Sequence, residues 1–313
     1  MNITALTSTG KSMRAMKRPQ ALACVITWEL RRFGANRLFW LQALGFFCLL
    51  LFLTWASRMP NQFFFGQGDV SAFVAGTSAW GLLTNLPLAL VLLGLLLPFI
   101  TTDGVARDLS RRTHELLMTT ALPTWAYVWG RYLVSLLLGL GLAVLSLVAF
   151  LVLGWLLHLT TTGYPAPEIG TVLLLWVGMV VPAAVLLSSL GFALGTLLPR
   201  LTTLVKVVIL LGWILGAVIL PIGLRDSIPP AWYVNWDPTS AGTVLGIAPQ
   251  YAGNFPPNQV ESVAQLQQLL LTVENKVPDL AGWFASHLLL AGFSLLLVLV
   301  AALAFKRTRE VLN

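Results

Sequence analysis

The sequence predicts an all-α polytopic membrane protein with six transmembrane helices. Three observations carry this: 57% of the 313 residues are hydrophobic, only 10% are charged, and the apolar residues gather in six long runs. An ordinary soluble domain carries about 25% charged residues, and no single soluble core buries so much apolar surface. A bilayer core about 30 Å thick is crossed by about 20 apolar helical residues. Runs 38–56, 80–100, 132–157, 171–198, 204–222 and 283–305 meet that length. They leave no polar block for a separate catalytic domain, so one membrane domain is expected over 38–305. Trp40, Trp55, Trp80, Trp129, Trp155 and Trp283 lie near run boundaries, where indole rings favour the headgroup level.

Residues 1–37 are read as a cytoplasmic tail and an interfacial helix. The basic stretch 11–18 leads into a short apolar patch broken by Trp28, Glu29, Arg31 and Arg32, with no small-residue cleavage site, so the N-terminus is expected to be retained. Within 21–37, Leu22, Ile26, Leu30 and Phe33 share one helical stripe while Thr27 and Arg31 face away, the pattern of an amphipathic helix lying on a membrane surface.

Orientation follows from the basic residues. With the N-terminus inside, the cytoplasmic side holds 16 Lys and Arg, and the outer side holds Arg58, Arg225 and Lys276. That asymmetry places both termini in the cytoplasm, and the basic tail at 306–313 agrees. The net charge of +7 is thereby assigned to the membrane rather than to nucleic acid.

The cytoplasmic loop 101–123 carries Val105, Leu109 and Leu116 on one stripe and Arg107, Arg111, His114 and Glu115 on the other, with Thr102 or Asp103 as a cap and Pro123 as a stop. A short amphipathic helix beneath the membrane is expected there. The outer loop 223–282 is enlarged and Pro-rich; Asn258 and Glu261 are spaced as a capping box ahead of Val263, Leu266, Leu270 and Val273 at helical spacing. It is read as a small subdomain over the spans and a candidate docking region for an extracytoplasmic partner.

Chemistry is sparse. Away from the run ends, where His158, Lys206 and His287 sit, the six runs hold no Asp, Glu, Lys or Arg, whereas proton relays and ion-coupled sites are built from such groups. A gradient-driven carrier is disfavoured on that ground. Pro182 leaves two readings open: a broken fourth span, or a tolerated kink. No nucleophile triad or metal-ligand spacing is evident, Cys24 and Cys48 form no framework, and the string TSTGKS at 7–12 lacks both the first glycine and the strand of a phosphate loop. Neither a catalytic residue nor a metal site is expected. Gly191 with Gly195, and Gly212 with Gly216, have the spacing that lets helices approach closely, within the chain or between two chains.

Residues 111–133 resemble the signature region of type 2 ATP-binding-cassette (ABC) exporter permeases: Arg111, Thr113, Glu115, Leu116, Leu117, Pro123 and Arg131 match in order, and Arg112 stands where that family often has glycine. The layout of interfacial helix, six spans, short helix after span two and enlarged outer loop is similar across nearly the whole chain. The resemblance implies a multi-pass subunit of the cytoplasmic (inner) membrane that exports a cargo, paired with a second permease as a homodimer or heterodimer. It also implies a separate cytoplasmic ATPase that holds ATP and Mg, no cofactor being bound by this chain. The ATPase would press on a surface made by Asp103, Arg107, Asp108, Arg111, Arg112, Thr113, His114 and Glu115. A membrane scaffold using the same loop is the alternative from another class.

Overall fold

The computed structural model describes residues 18–56, 76–110, 122–161, 164–224, 227–253 and 281–311, together with Gln265, Gln268, Thr272, Val273 and 275–277. Among them every regular element is a helix. In chain order the α-helices of more than four residues among them are α1 (Arg18–Gly34), α2 (Arg37–Ala56), α3 (Ala79–Thr101), α4 (Asp103–Ser110), α5 (Thr124–Thr160), α6 (Ile169–Leu197), α7 (Thr202–Ile214), α8 (Ala231–Trp236), α9 (Ala241–Gly253) and α10 (Ala281–Val311). Six helical segments are long and apolar enough to cross a membrane: Arg37–Ala56, Ala79–Val105, Thr124–Thr160, Ile169–Leu197, Pro199–Gly223 and Gly282–Phe305.

Spans 2 and 4 form the centre. Leu82, Leu83, Leu86, Leu90, Leu93 and Leu97 of α3 are fully buried against Leu175, Met179, Ala184 and Leu187 of α6. Spans 1, 5 and 6 turn most of their side chains outward, as lipid-facing helices do. Close approach is bought by missing side chains: a Cβ on Gly94 of α3 would collide with the Trp213 ring of α7, whose Nε1–H donates to the Leu90 carbonyl at 2.9 Å.

Pro182 is buried inside an unbroken α6, the tolerated-kink alternative of the two. Two tryptophans read as boundary rings lie inside instead. Trp80 and Trp283 are 3% and 2% exposed, packed in the main core, whereas Trp40, Trp55 and Trp155 are exposed.

The third span begins earlier than its apolar run. α5 has 37 residues, about 55 Å of helix, well over the bilayer core of about 30 Å. Its first two turns carry Tyr127 and Arg131 out of the apolar run and into contact with α1 and α4. α1 itself differs from the expected stripe. Ala21, Val25 and Glu29 are its buried face, while Leu30 is exposed. The cause is on α5: Gly130 leaves a notch that Val25 fills, and Arg131 offers Glu29 a partner.

Between spans 5 and 6, α8 and α9 form a hairpin whose Ile247 and Val244 pack into the main core. Of the predicted second half of that loop, Asn258, Glu261, Val263, Leu266 and Leu270 lie outside the described residues, and Val273 is helical and packed on the core.

Candidate functional site

α4 follows directly from span 2. The Thr102 hydroxyl donates back to the Pro98 carbonyl at 2.5 Å. Asp103 opens α4 and pairs with Lys206 of span 5, Oδ1 to Nζ 2.7 Å, with the ammonium lying over the Phe99 ring. Val105 then points inward, 1% exposed, among Tyr127, Val128 and Tyr132 of α5, Phe192 and Ala193 of α6, and Val298 and Ala301 of α10. Three residues further on, the same face of α4 presents Asp108.

Asp108 is buried and accepts from two groups of α5. The Tyr127 hydroxyl donates to Oδ2 at 2.6 Å, and Arg131 Nη2 makes a tight ion pair with the same oxygen. Arg131 Nη1 serves the Gly104 carbonyl of α4 and lies 2.8 Å from Glu29 Oε1 of α1. Glu29 is in turn held by Arg32, Oε2 to Nη2 2.8 Å. The Arg131 guanidinium sits 5.4 Å from the centre of the Trp28 ring and 5.0 Å from that of Tyr127, so indole and phenol faces supply further attraction for the cation. One buried guanidinium thus joins α1, α4 and α5, and Lys206 ties the start of α4 to span 5.

The electrostatics explain why the cluster is assembled rather than scattered. Burial pushes the Glu29 carboxyl above its ordinary value, and the nearby Arg131, Arg32 and Arg107 oppose that shift. Burial likewise pushes Arg32 downward, and Glu29 opposes it. Each group is costly in isolation and tolerable in company. The arrangement contains charge, hydrogen bonds and packing, and among the described residues no group of His, Cys, Asp or Glu is grouped to hold a metal. The ion pairs tie α4 to α1, span 3 and span 5 together.

Of the residues singled out in the loop, Asp103, Arg107 and Asp108 are described. Asp103 is partly exposed, Arg107 is half-buried, and Asp108 faces the interior. Arg111, Arg112, Thr113, His114 and Glu115 lie outside the described residues. The glycines separate into two kinds. A Cβ on Gly191 would strike Thr101, and one on Gly195 the Thr102 backbone, so these two seat α6 against the end of span 2. Gly212 has open space beside it, and Gly216 faces Asp237 and Thr239 at 3.4 Å. In the sequence Arg131 stands as the last match to the family's signature region, with no sign of Glu29 as its partner; the acidic residue interrupting the apolar face of α1 was the available signal.

The family model of the ABC-2 family transporter protein matches residues 76–305. The chain belongs to the ABC-2 transporter family. It is accordingly a multi-pass transporter permease, and membrane domains of this family are typically non-catalytic. Asp103, Asp108, Arg131 and Lys206 lie within the matched segment, whereas α1 with Glu29 precedes it. No curated protein matches the chain.

Proposed function

We propose that this ABC-2 permease exports its cargo across the cytoplasmic membrane, with both termini in the cytoplasm and with a separate ATPase subunit, holding ATP and Mg, seated against α4 and residues 111–115. The observation that carries the proposal is the double tether of α4. Asp103 pairs with Lys206 of span 5, and Asp108 pairs with the Arg131 that also holds Glu29. An ATPase pushing on a free loop would move only the loop; pushing on α4, it moves the bundle. Arg107, Arg111, Arg112 and Glu115 supply the charged groups for contact with such a partner, and Asp108 acts behind them as an anchor. A second permease, the same chain or a similar one, completes the transporter, and the open flank at Gly212 suits helix-to-helix contact.

The test is to reconstitute the permease in nanodiscs with the cassette ATPase subunit that copurifies with it and to replace Arg111, Arg112 and Glu115 together by Ala. Permease-stimulated ATP hydrolysis is expected to fall toward the rate of the free ATPase, while insertion and melting temperature stay unchanged. Full stimulation in the triple variant would overturn the assignment of this surface.

A further inference from the structure

Span 5 is irregular near its outer end, and the reason is chemical. Pro221 has no N–H for the Ala217 carbonyl, and its ring crowds that carbonyl. The helix widens just before it into a π-turn, Leu215–Ile219. The Gly216 carbonyl in this turn accepts the Tyr233 hydroxyl of α8 at 2.6 Å. The hairpin of α8 and α9 is therefore fastened to span 5 at one point.

Its second fastening is on span 6. Asp237, between α8 and α9, accepts from the Thr239 N–H at 3.0 Å, the Thr239 hydroxyl at 2.7 Å and the Gly242 N–H at 2.8 Å. The tight bend this requires puts Ser240 at φ 61°, a left-handed conformation unusual for serine. The bend aims the Asp237 main-chain carbonyl at His287 of α10, 2.9 Å from Nε2. On the other side of the same ring, Nδ1 lies 3.0 Å from the Trp283 carbonyl. His287 is 2% exposed and stacks on the Trp283 indole with ring centres 3.8 Å apart.

Both ring nitrogens thus face carbonyl oxygens, which only accept. A neutral imidazole has one N–H, so one of the two contacts sets a lone pair against a lone pair, whichever tautomer forms. The doubly protonated ring donates to both. The indole face stacked on the ring suits the same cation. Among the described residues the hairpin brings two titratable groups to this corner, Asp237 and Tyr233. Span 4, packed along span 6, carries no ionisable side chain, and span 3 meets span 6 at its opposite end through Tyr127 and Phe305.

We propose that His287 is a proton-operated fastener: its imidazolium ties the outer hairpin 231–253 to span 6, and loss of the proton loosens that side while Tyr233 still holds span 5. The device sits on the opposite face from the ATPase surface and stands independently of the export reading. It makes the outer face of the permease tighter in acid than in alkali.

The experiment is hydrogen–deuterium exchange of the full chain in nanodiscs at pH 5.5 and pH 8, corrected for intrinsic exchange. Hairpin peptides are expected to lose about tenfold protection at the higher pH, the scale of one charge-assisted hydrogen bond, with peptides of span 4 unchanged. His287→Gln removes the pH dependence, and Asp237→Asn keeps it because the main-chain carbonyl remains. Equal hairpin protection at both pH values in the wild type, or a dependence that survives in H287Q, overturns the proposal. Should H287Q fail to fold, ¹⁵N-histidine spectra of the wild type decide it: the chain has three histidines, and a His287 signal that stays a single neutral tautomer across this range is the contrary result.

Discussion

Replacing Arg131 by Met weighs the buried cluster directly. The wild-type guanidinium is 1% exposed and serves Glu29, Asp108 and the Gly104 carbonyl at once. Met keeps the apolar stem and removes the charge. Glu29 then retains Arg32, whose side chain is 29% exposed, and the attraction of Arg107, and Asp108 retains the Tyr127 hydroxyl. Removing one partner of a buried ion pair costs about 3–5 kcal/mol. For a chain of this size that corresponds to a fall in Tm of about 6–10 °C, taking roughly 2 °C per kcal/mol. The assay is thermal unfolding in nanodiscs followed by intrinsic fluorescence, for which the 12 tryptophans provide signal. A second variant isolates the cause: Glu29→Gln, Asp108→Asn and Arg131→Met together remove the buried charges and leave Arg32, 29% exposed, to water, and neutral replacement of a buried ion network is often harmless. The triple variant should therefore recover most of the loss, because residues in one network do not add independently. A Tm within about 2 °C of wild type for R131M, or a triple variant as unstable as the single, would refute the reasoning.

Three further outcomes are expected. Gly94→Ala forces a methyl into the Trp213 ring, which is pinned by its bond to Leu90; overpacking of this kind costs about 1–3 kcal/mol, read as a lower Tm that Trp213→Ala in the same chain does not worsen additively. Gly195→Ala collides with the Thr102 backbone and should destabilise, whereas Gly212→Ala meets open space and should gain about 0.5–1 kcal/mol from helix propensity, while cross-linking of paired permeases reports any contact at Gly212. Burial holds the Glu29 carboxyl above its ordinary 4.5, so the folded protein takes up this proton at higher pH than the unfolded chain. Stability from this group therefore rises as pH falls through the folded value and is complete below 4.5. The gain in Tm between pH 7.5 and pH 5 should be smaller in Glu29→Gln, and equal gains in both proteins would count against the buried carboxylate.

The spans were legible because apolar length is a local property, whereas the two readings of Pro182 were separated only by the unbroken α6. The cluster was not legible. Arg131 reads as a surface cation when the third helix is started at Tyr132, and only the extension of α5 back to Thr124 turns it inward. Glu29 and Asp108 belong to separate amphipathic segments, and nothing in their local pattern says that they share one guanidinium. Asp108 lies in the short helix read from its loop, yet its inward position depends on which face of α4 meets α5. Trp80 and Trp283 misled in the other direction, because an indole at a run boundary suits both a headgroup layer and a core beneath an outer hairpin.

The most direct test of the account is the composition of the complex recovered when the permease is expressed in its own host and purified through a tag on it. The account predicts two permeases with two ATPase subunits, and loss of the ATPase when Arg111, Arg112 and Glu115 are all Ala. A permease purified free of ATPase in both forms, or one that keeps it in the triple variant, would contradict it.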